Sequence, residues 1–158
     1  MNDFQKLATP IVAILFFGLF SIVHAAPKLN VVPDKIVLSP ALFKKPIAFT
    51  GSGYQPKETV VVDLVVPQGI KMKGLTGEEK TVGIAFATAD EKGNFKATLG
   101  PMTTLNTLFQ VGWTPLMKPD FKKARPLPPG KYEIVATGIE SERVSKAILE
   151  LLPPPKKK

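Results

Sequence analysis

The sequence predicts an all-β fold, an antiparallel sandwich or barrel of about seven or eight short strands behind an N-terminal apolar segment. Three observations point there. Short runs of β-branched and apolar residues alternate with Gly, Pro, Asp and Asn. No stretch of 12 residues beyond the N-terminal segment carries a clean helical period. Proline and glycine total 28 of 158 residues, too many for a helical bundle and too few for a low-complexity chain.

The N-terminal segment comes first. A short polar start, Met1 to Lys6, leads into an apolar run from Leu7 to Val23 and then into His24-Ala25-Ala26-Pro27. Polar start, apolar core and small residues make the three-part pattern of a secretory signal, with cleavage expected after Ala25. The alternative is a retained inner-membrane anchor over residues 7–23, at the lower edge of a bilayer span. The expected location is therefore the periplasm or the cell exterior. A lipoprotein is excluded because there is no Cys to acylate.

The strands follow in order. Leu29 to Val32 and Lys35 to Leu38 flank Pro33-Asp34, a first strand interrupted by a kink or bulge. Pro46 to Thr50 is the second. Thr59 to Val66 (TVVVDLVV) is a continuous apolar run, as expected of a central strand buried on both faces and ended by Pro67. Thr81 to Thr88 and Asn94 to Leu99 are joined by Ala89-Asp90-Glu91-Lys92-Gly93, a short polar link that predicts a hairpin. Lys131 to Thr137 alternates Tyr132, Ile134 and Ala136 against Glu133, Val135 and Thr137. Val144 to Leu152 sets Ala147, Leu149 and Leu151 on one face, with Ile148 breaking the alternation. Gln68 to Lys80 reads as an exposed loop. Pro153 to Lys158 reads as an extended, solvated tail.

Composition removes whole classes of chemistry. With no Cys there is no disulfide, thiolate metal site, iron–sulfur cluster or cysteine nucleophile. The single His lies in the export segment, so imidazole metal sites and Ser-His-Asp triads go with it. Asp63, Asp90, Glu91, Asp120, Glu133 and Glu140 could in principle supply a carboxylate pair, and nothing in the sequence brings two of them together. Asp90 to Asn94 lacks the alternating acidic ligands of a calcium loop. The expectation is a non-enzymatic protein with no cofactor and no metal.

Three segments carry a family resemblance. Phe49 to Val60 (FTGSGYQPKETV) resembles the GxGaxPxExV stretch, where a is aromatic, of bacterial immunoglobulin-like modules in exported proteins, of the IPT/TIG-like kind. Ala87 to Phe95 (ATADEKGNF) is similar to their TaDxxGxF turn. Leu127 to Gly138 (LPPGKYEIVATG) is similar to their LPPGxYxVxAxG strand. The three occur in the family's order. The resemblance implies a single immunoglobulin-like β-sandwich over residues 26–152. Within it, Gly51 and Gly53 free the backbone at a strand end, Gly93 takes a left-handed position, and the Tyr132 hydroxyl can bond backbone.

The sequence departs from that pattern at residues 100–128, a long insertion between the second and third motifs. It holds the only Trp, two of the four Met, and Lys118, Lys122, Lys123 and Arg125 against one acid, Asp120. Long loops in compact domains are often functional, and cations among aromatics can hold anionic partners. Trp113, Lys118, Phe121, Lys122, Lys123 and Arg125 are thus the candidate partner-binding residues. Leu105, Leu108, Phe109, Val111 and Trp113 are alternatively an extra strand or short helix that plugs the end of the sandwich.

Net charge is +8, carried by 19 Lys and 2 Arg. Lysine is a hydrated point charge and a poor bidentate reader, which argues against sequence-specific nucleic-acid recognition. The expected partner is an anionic envelope polymer or an acidic protein, met by the basic aromatic insertion and by the lysine tail, Lys156-Lys157-Lys158. A structural subunit that assembles through sheet edges is the second expectation, and a membrane-tethered periplasmic accessory protein is a minor third.

Overall fold

The computed structural model describes residues 25–155. Residues 1–24, which hold nearly all of the expected signal or anchor segment, and Lys156-Lys157-Lys158 of the tail lie outside the described residues. Among the described residues ten strands form: β1 (Lys28–Val32), β2 (Lys35–Val37), β3 (Ala48–Ser52), β4 (Thr59–Val65), β5 (Thr81–Thr88), β6 (Phe95–Thr98), β7 (Gly112–Trp113), β8 (Pro119–Asp120), β9 (Gly130–Gly138) and β10 (Val144–Leu152). They make a three-stranded sheet, β1-β3-β6, a five-stranded sheet, β2-β10-β9-β4-β5, and a small β7-β8 pair.

Alternation explains the core. Val60, Val62 and Leu64 of β4 and Tyr132, Ile134 and Ala136 of β9 project inward from the larger sheet. Leu29 and Val31 of β1, Phe49 of β3 and Phe95 and Ala97 of β6 are buried from the smaller one. All of these belong to one buried cluster, so the arrangement is β-sandwich-like. Each aliphatic side chain removed from water in this way contributes about 1.5–3 kcal/mol before ordering costs.

Three expectations about the strands are corrected. The Ala89–Gly93 link does not join a hairpin: β5 pairs with β4, while β6 pairs with β3 in the other sheet. The turn itself forms, with Asp90 N–H donating to the Asn94 carbonyl at 2.7 Å and Gly93 at φ 75°. Turn chemistry fixes the chain reversal, and the burial of Phe95 and Ala97 sends the next strand to the opposite layer. Second, β4 is buried on one face only; Val61, Asp63 and Val65 on the other are half-buried. Third, the sheets are not wholly antiparallel. The chain changes layers at Pro33-Asp34, so β1 runs antiparallel to β3 and β2 runs parallel to β10.

Strand directions gather the loops into two sets. The turns 53–58, 89–94 and 139–143 lie at one end. Segments 38–47, 66–80 and 99–129 lie at the other. Among the described residues no helix is long and apolar enough to cross a membrane.

Candidate functional site

The first end holds the turns of the first two resembling motifs and the closing residues of the third, bonded to one another. Tyr54 is buried, its ring edge-on to Phe95 at 5.3 Å. Its hydroxyl donates to the Ala136 carbonyl at 3.1 Å and meets the Ser145 hydroxyl. The backbone of Tyr54 and Gly93 touches so closely that a Cβ on Gly93 would collide with the Tyr54 carbonyl. Glu58 is 2% exposed, and its carboxylate accepts from Gln55 N–H, Ser141 N–H and Ser141 Oγ. Burial alone would raise its pKa. The hydrogen bonds from Gln55 and Ser141 outweigh that and hold the carboxyl below its ordinary value. Tyr54 and Glu58 are both turned inward to partners, so these two side chains serve the scaffold.

The opposite end is built differently. The insertion begins at Gly100-Pro101, with proline at the first helical position. The helical turn α1 (Pro101–Thr103) passes into a wider π-helical turn over Thr104–Leu108. Leu108, Phe109 and Val111 are then buried, with Leu105 and Trp113 packed against the same cluster, so this part covers the end of the core. The chain turns out through the β7–β8 hairpin and returns beside itself: Arg125 N–H donates to the Gln110 carbonyl and Leu127 N–H to the Leu108 carbonyl. Asp120 caps a 3-10 turn over Phe121–Lys123, accepting from Lys122 N–H at 3.0 Å. Gly112 is required where strand and turn touch, since a Cβ there would come 2.9 Å from the Lys123 Cβ.

The loop after β4 folds onto this insertion rather than lying free. Met72 is buried. Lys73 N–H donates to the Gln110 side-chain carbonyl at 2.6 Å, and Lys73 Nζ donates to the Val111 carbonyl at 2.8 Å. Between loop and insertion lies an open cleft of about 640 Å³, lined by Lys71, Met72, Lys73, Gln110, Gly112, Lys122, Lys123, Ala124 and Arg125. Five of those nine residues are cations, and none is acidic. Among the described residues only Lys123 of the five has a carboxylate within ion-pair distance, Asp120 at 3.9 Å. Converging unpaired cations repel one another, and an anion in the cleft relieves that repulsion.

The six candidate residues therefore divide. Lys122, Lys123 and Arg125 line the cleft. Phe121 stands exposed beside them, edge-on to Phe109, which in turn stacks on Phe43 at 5.9 Å. Trp113 is half-buried and donates from Nε1 to the Asn106 side chain at 2.9 Å. Lys118 closes the β7–β8 turn, its N–H donating to Thr114 Oγ1 at 3.1 Å. Neither Trp113 nor Lys118 lines the cleft. Lys71 and Lys73, on the loop read as plain exposed loop, do.

Among the described residues, no three acidic or histidine side chains gather as metal ligands would. Asp63 sits alone on the outer sheet face, where burial raises its pKa. Compared with known proteins, the chain matches no family profile and no curated relative.

Proposed function

We propose that the protein is an exported, non-enzymatic binding module of immunoglobulin-like fold that holds an anionic polymer of the cell envelope at the basic cleft. The observation that carries the reading is the convergence of Lys71, Lys73, Lys122, Lys123 and Arg125 from two loops on one cleft. Four lysines to one arginine favour an anion recognised by charge density over one read by a planar, bidentate fork. The immunoglobulin-like assignment is supported by the division of β1 and β2 between the two layers. It is supported also by Tyr132, whose hydroxyl donates to the Pro128 carbonyl four residues upstream at 2.7 Å, as a tyrosine corner does at the matching strand. Export rests on the pattern of residues 1–25.

The test is co-sedimentation of the purified protein with isolated cell envelope at low and high salt. Binding that salt removes, and that Lys122→Glu with Lys123→Glu abolishes, supports the reading. Retention that ignores both salt and the double variant overturns it, and an acidic protein recovered in place of the polymer redirects it.

A second reading, assembly through a sheet edge, is favoured by β5. This strand closes the larger sheet and runs eight residues without a charge. Uncharged edges are where strands add.

A further inference from the structure

The β7–β8 hairpin starts at the cleft wall, at Gly112, and ends in a turn that presents apolar side chains to water. Leu116 is 78% exposed and Met117 is 74% exposed. The turn is ordered: Met117 N–H donates to the Thr114 carbonyl and Thr114 N–H to the Lys118 carbonyl, both at 2.9 Å. Phe121, 54% exposed, follows the hairpin and precedes Lys122. Two adjacent aliphatic side chains are held out on this turn, away from the core of the described residues. Bare apolar groups of this kind, followed along the chain by Lys118, Lys122 and Lys123, mark contact surfaces.

We propose that this tip docks on an anionic lipid surface. Leu116 and Met117 enter the headgroup boundary, while Lys118, Lys122 and Lys123 meet the acidic headgroups. The inference rests on the anion-binding reading above and gives the anion a source. A soluble polyanion would use the cations and leave the tip idle. A lipid interface uses both, because its headgroups carry the charge and its acyl boundary accepts the aliphatic pair without needing a shaped pocket. The hairpin is short, so entry is shallow, and attachment depends on charge and apolar burial together.

The test uses the purified protein with phosphatidylglycerol/phosphatidylcholine vesicles, phosphatidylcholine vesicles, and inorganic polyphosphate as the soluble polyanion. Trp113 is the only tryptophan and opens the hairpin, so its emission reports docking. The tip variant is Leu116→Asp with Met117→Asp. Both side chains are exposed, and Asp tolerates the positive φ of 56° at position 117, so the fold is kept. The expected result is binding to the phosphatidylglycerol vesicles and to polyphosphate but not to the phosphatidylcholine vesicles, with a blue shift of Trp113 on the vesicles. The tip variant should bind them about tenfold more weakly and hold polyphosphate as the parent does. The lipid assignment is overturned if the parent holds polyphosphate and ignores the vesicles, or if the tip variant binds vesicles unchanged. Failure to hold either probe removes the anion-binding reading as well.

Discussion

Glu58 and Ser141 lie 83 positions apart and share two hydrogen bonds, from Ser141 N–H at 3.0 Å and Ser141 Oγ at 2.9 Å to the Glu58 carboxylate. Glu58 stands at the entry to β4, and Ser141 belongs to the loop between β9 and β10. One buried carboxylate thus fastens the first resembling motif to the loop that follows the third. The bonds are charge-assisted, which makes them stronger than bonds between neutral groups.

Glu58→Gln should therefore destabilise the fold by about 1.5–3 kcal/mol, read as a fall in urea midpoint at unchanged slope. The pH dependence has a definite sign. Because the folded carboxyl titrates below its ordinary value, its contribution is complete above the ordinary carboxylate range. It is lost as pH falls through the lowered pKa. The gap between parent and variant should be widest near neutrality and close in acid. A gap that grows in acid would show that desolvation, not hydrogen bonding, controls this carboxyl.

Gly138 faces the same carboxylate: a Cβ there would lie 2.5 Å from Glu58 Oε1. No positive φ is involved, so the constraint is space alone. Gly138→Ala should cost about 1–3 kcal/mol, the usual cost of overpacking. The cost should shrink when Glu58 is first shortened to Ser. A double-mutant cycle that came out additive would place the strain elsewhere.

Alternation made the strands readable. Tyr132, Ile134 and Ala136 point inward as their spacing requires, and β5 and β10 begin and end at the residues the pattern marks. Pairing was not readable. The Asp90–Gly93 turn has the same local chemistry whether the next strand returns to its neighbour or crosses to the other layer, and only the demand of the core decides. The candidate site was half readable for a similar reason. Lys122, Lys123 and Arg125 stand together in sequence. Lys71 and Lys73 join them through the hydrogen bonds of Lys73 to Gln110 and Val111, 37 and 38 positions away. Nothing in either segment names the other.

Lys71 and Lys73 separate charge from structure. Both line the cleft, and only Lys73 also bonds the insertion, through Nζ to the Val111 carbonyl at 2.8 Å. Lys73→Met should lower stability by about 0.5–1.5 kcal/mol. Lys71→Met should leave the urea midpoint where it is. On polyphosphate, each variant should reduce the slope of log affinity against log salt by about 1, because each removes one cation from the site. Unequal slopes would mean that only one of the two lysines reaches the bound anion.

The edge of the larger sheet gives the last prediction. Phe86 on β5 is 79% exposed and stands opposite Val61, with no charged residue between Thr81 and Thr88. Natural edges are usually guarded by lysine, proline or a bulge. Here the register shift opposite Val62/Asp63 supplies a bulge near Ile84 and leaves Ala85 to Thr88 as a regular, unguarded run. If that run pairs between copies, light scattering should show mass rising with protein concentration. Phe86→Lys should return the protein to monomer, with a stability change within about 0.5 kcal/mol, because the side chain is at the surface. Association through β5 is independent of the cleft, so Lys122→Glu with Lys123→Glu should leave it unchanged. A parent that stays monomeric at every concentration removes self-assembly as a reading and leaves β5 guarded by its bulge alone.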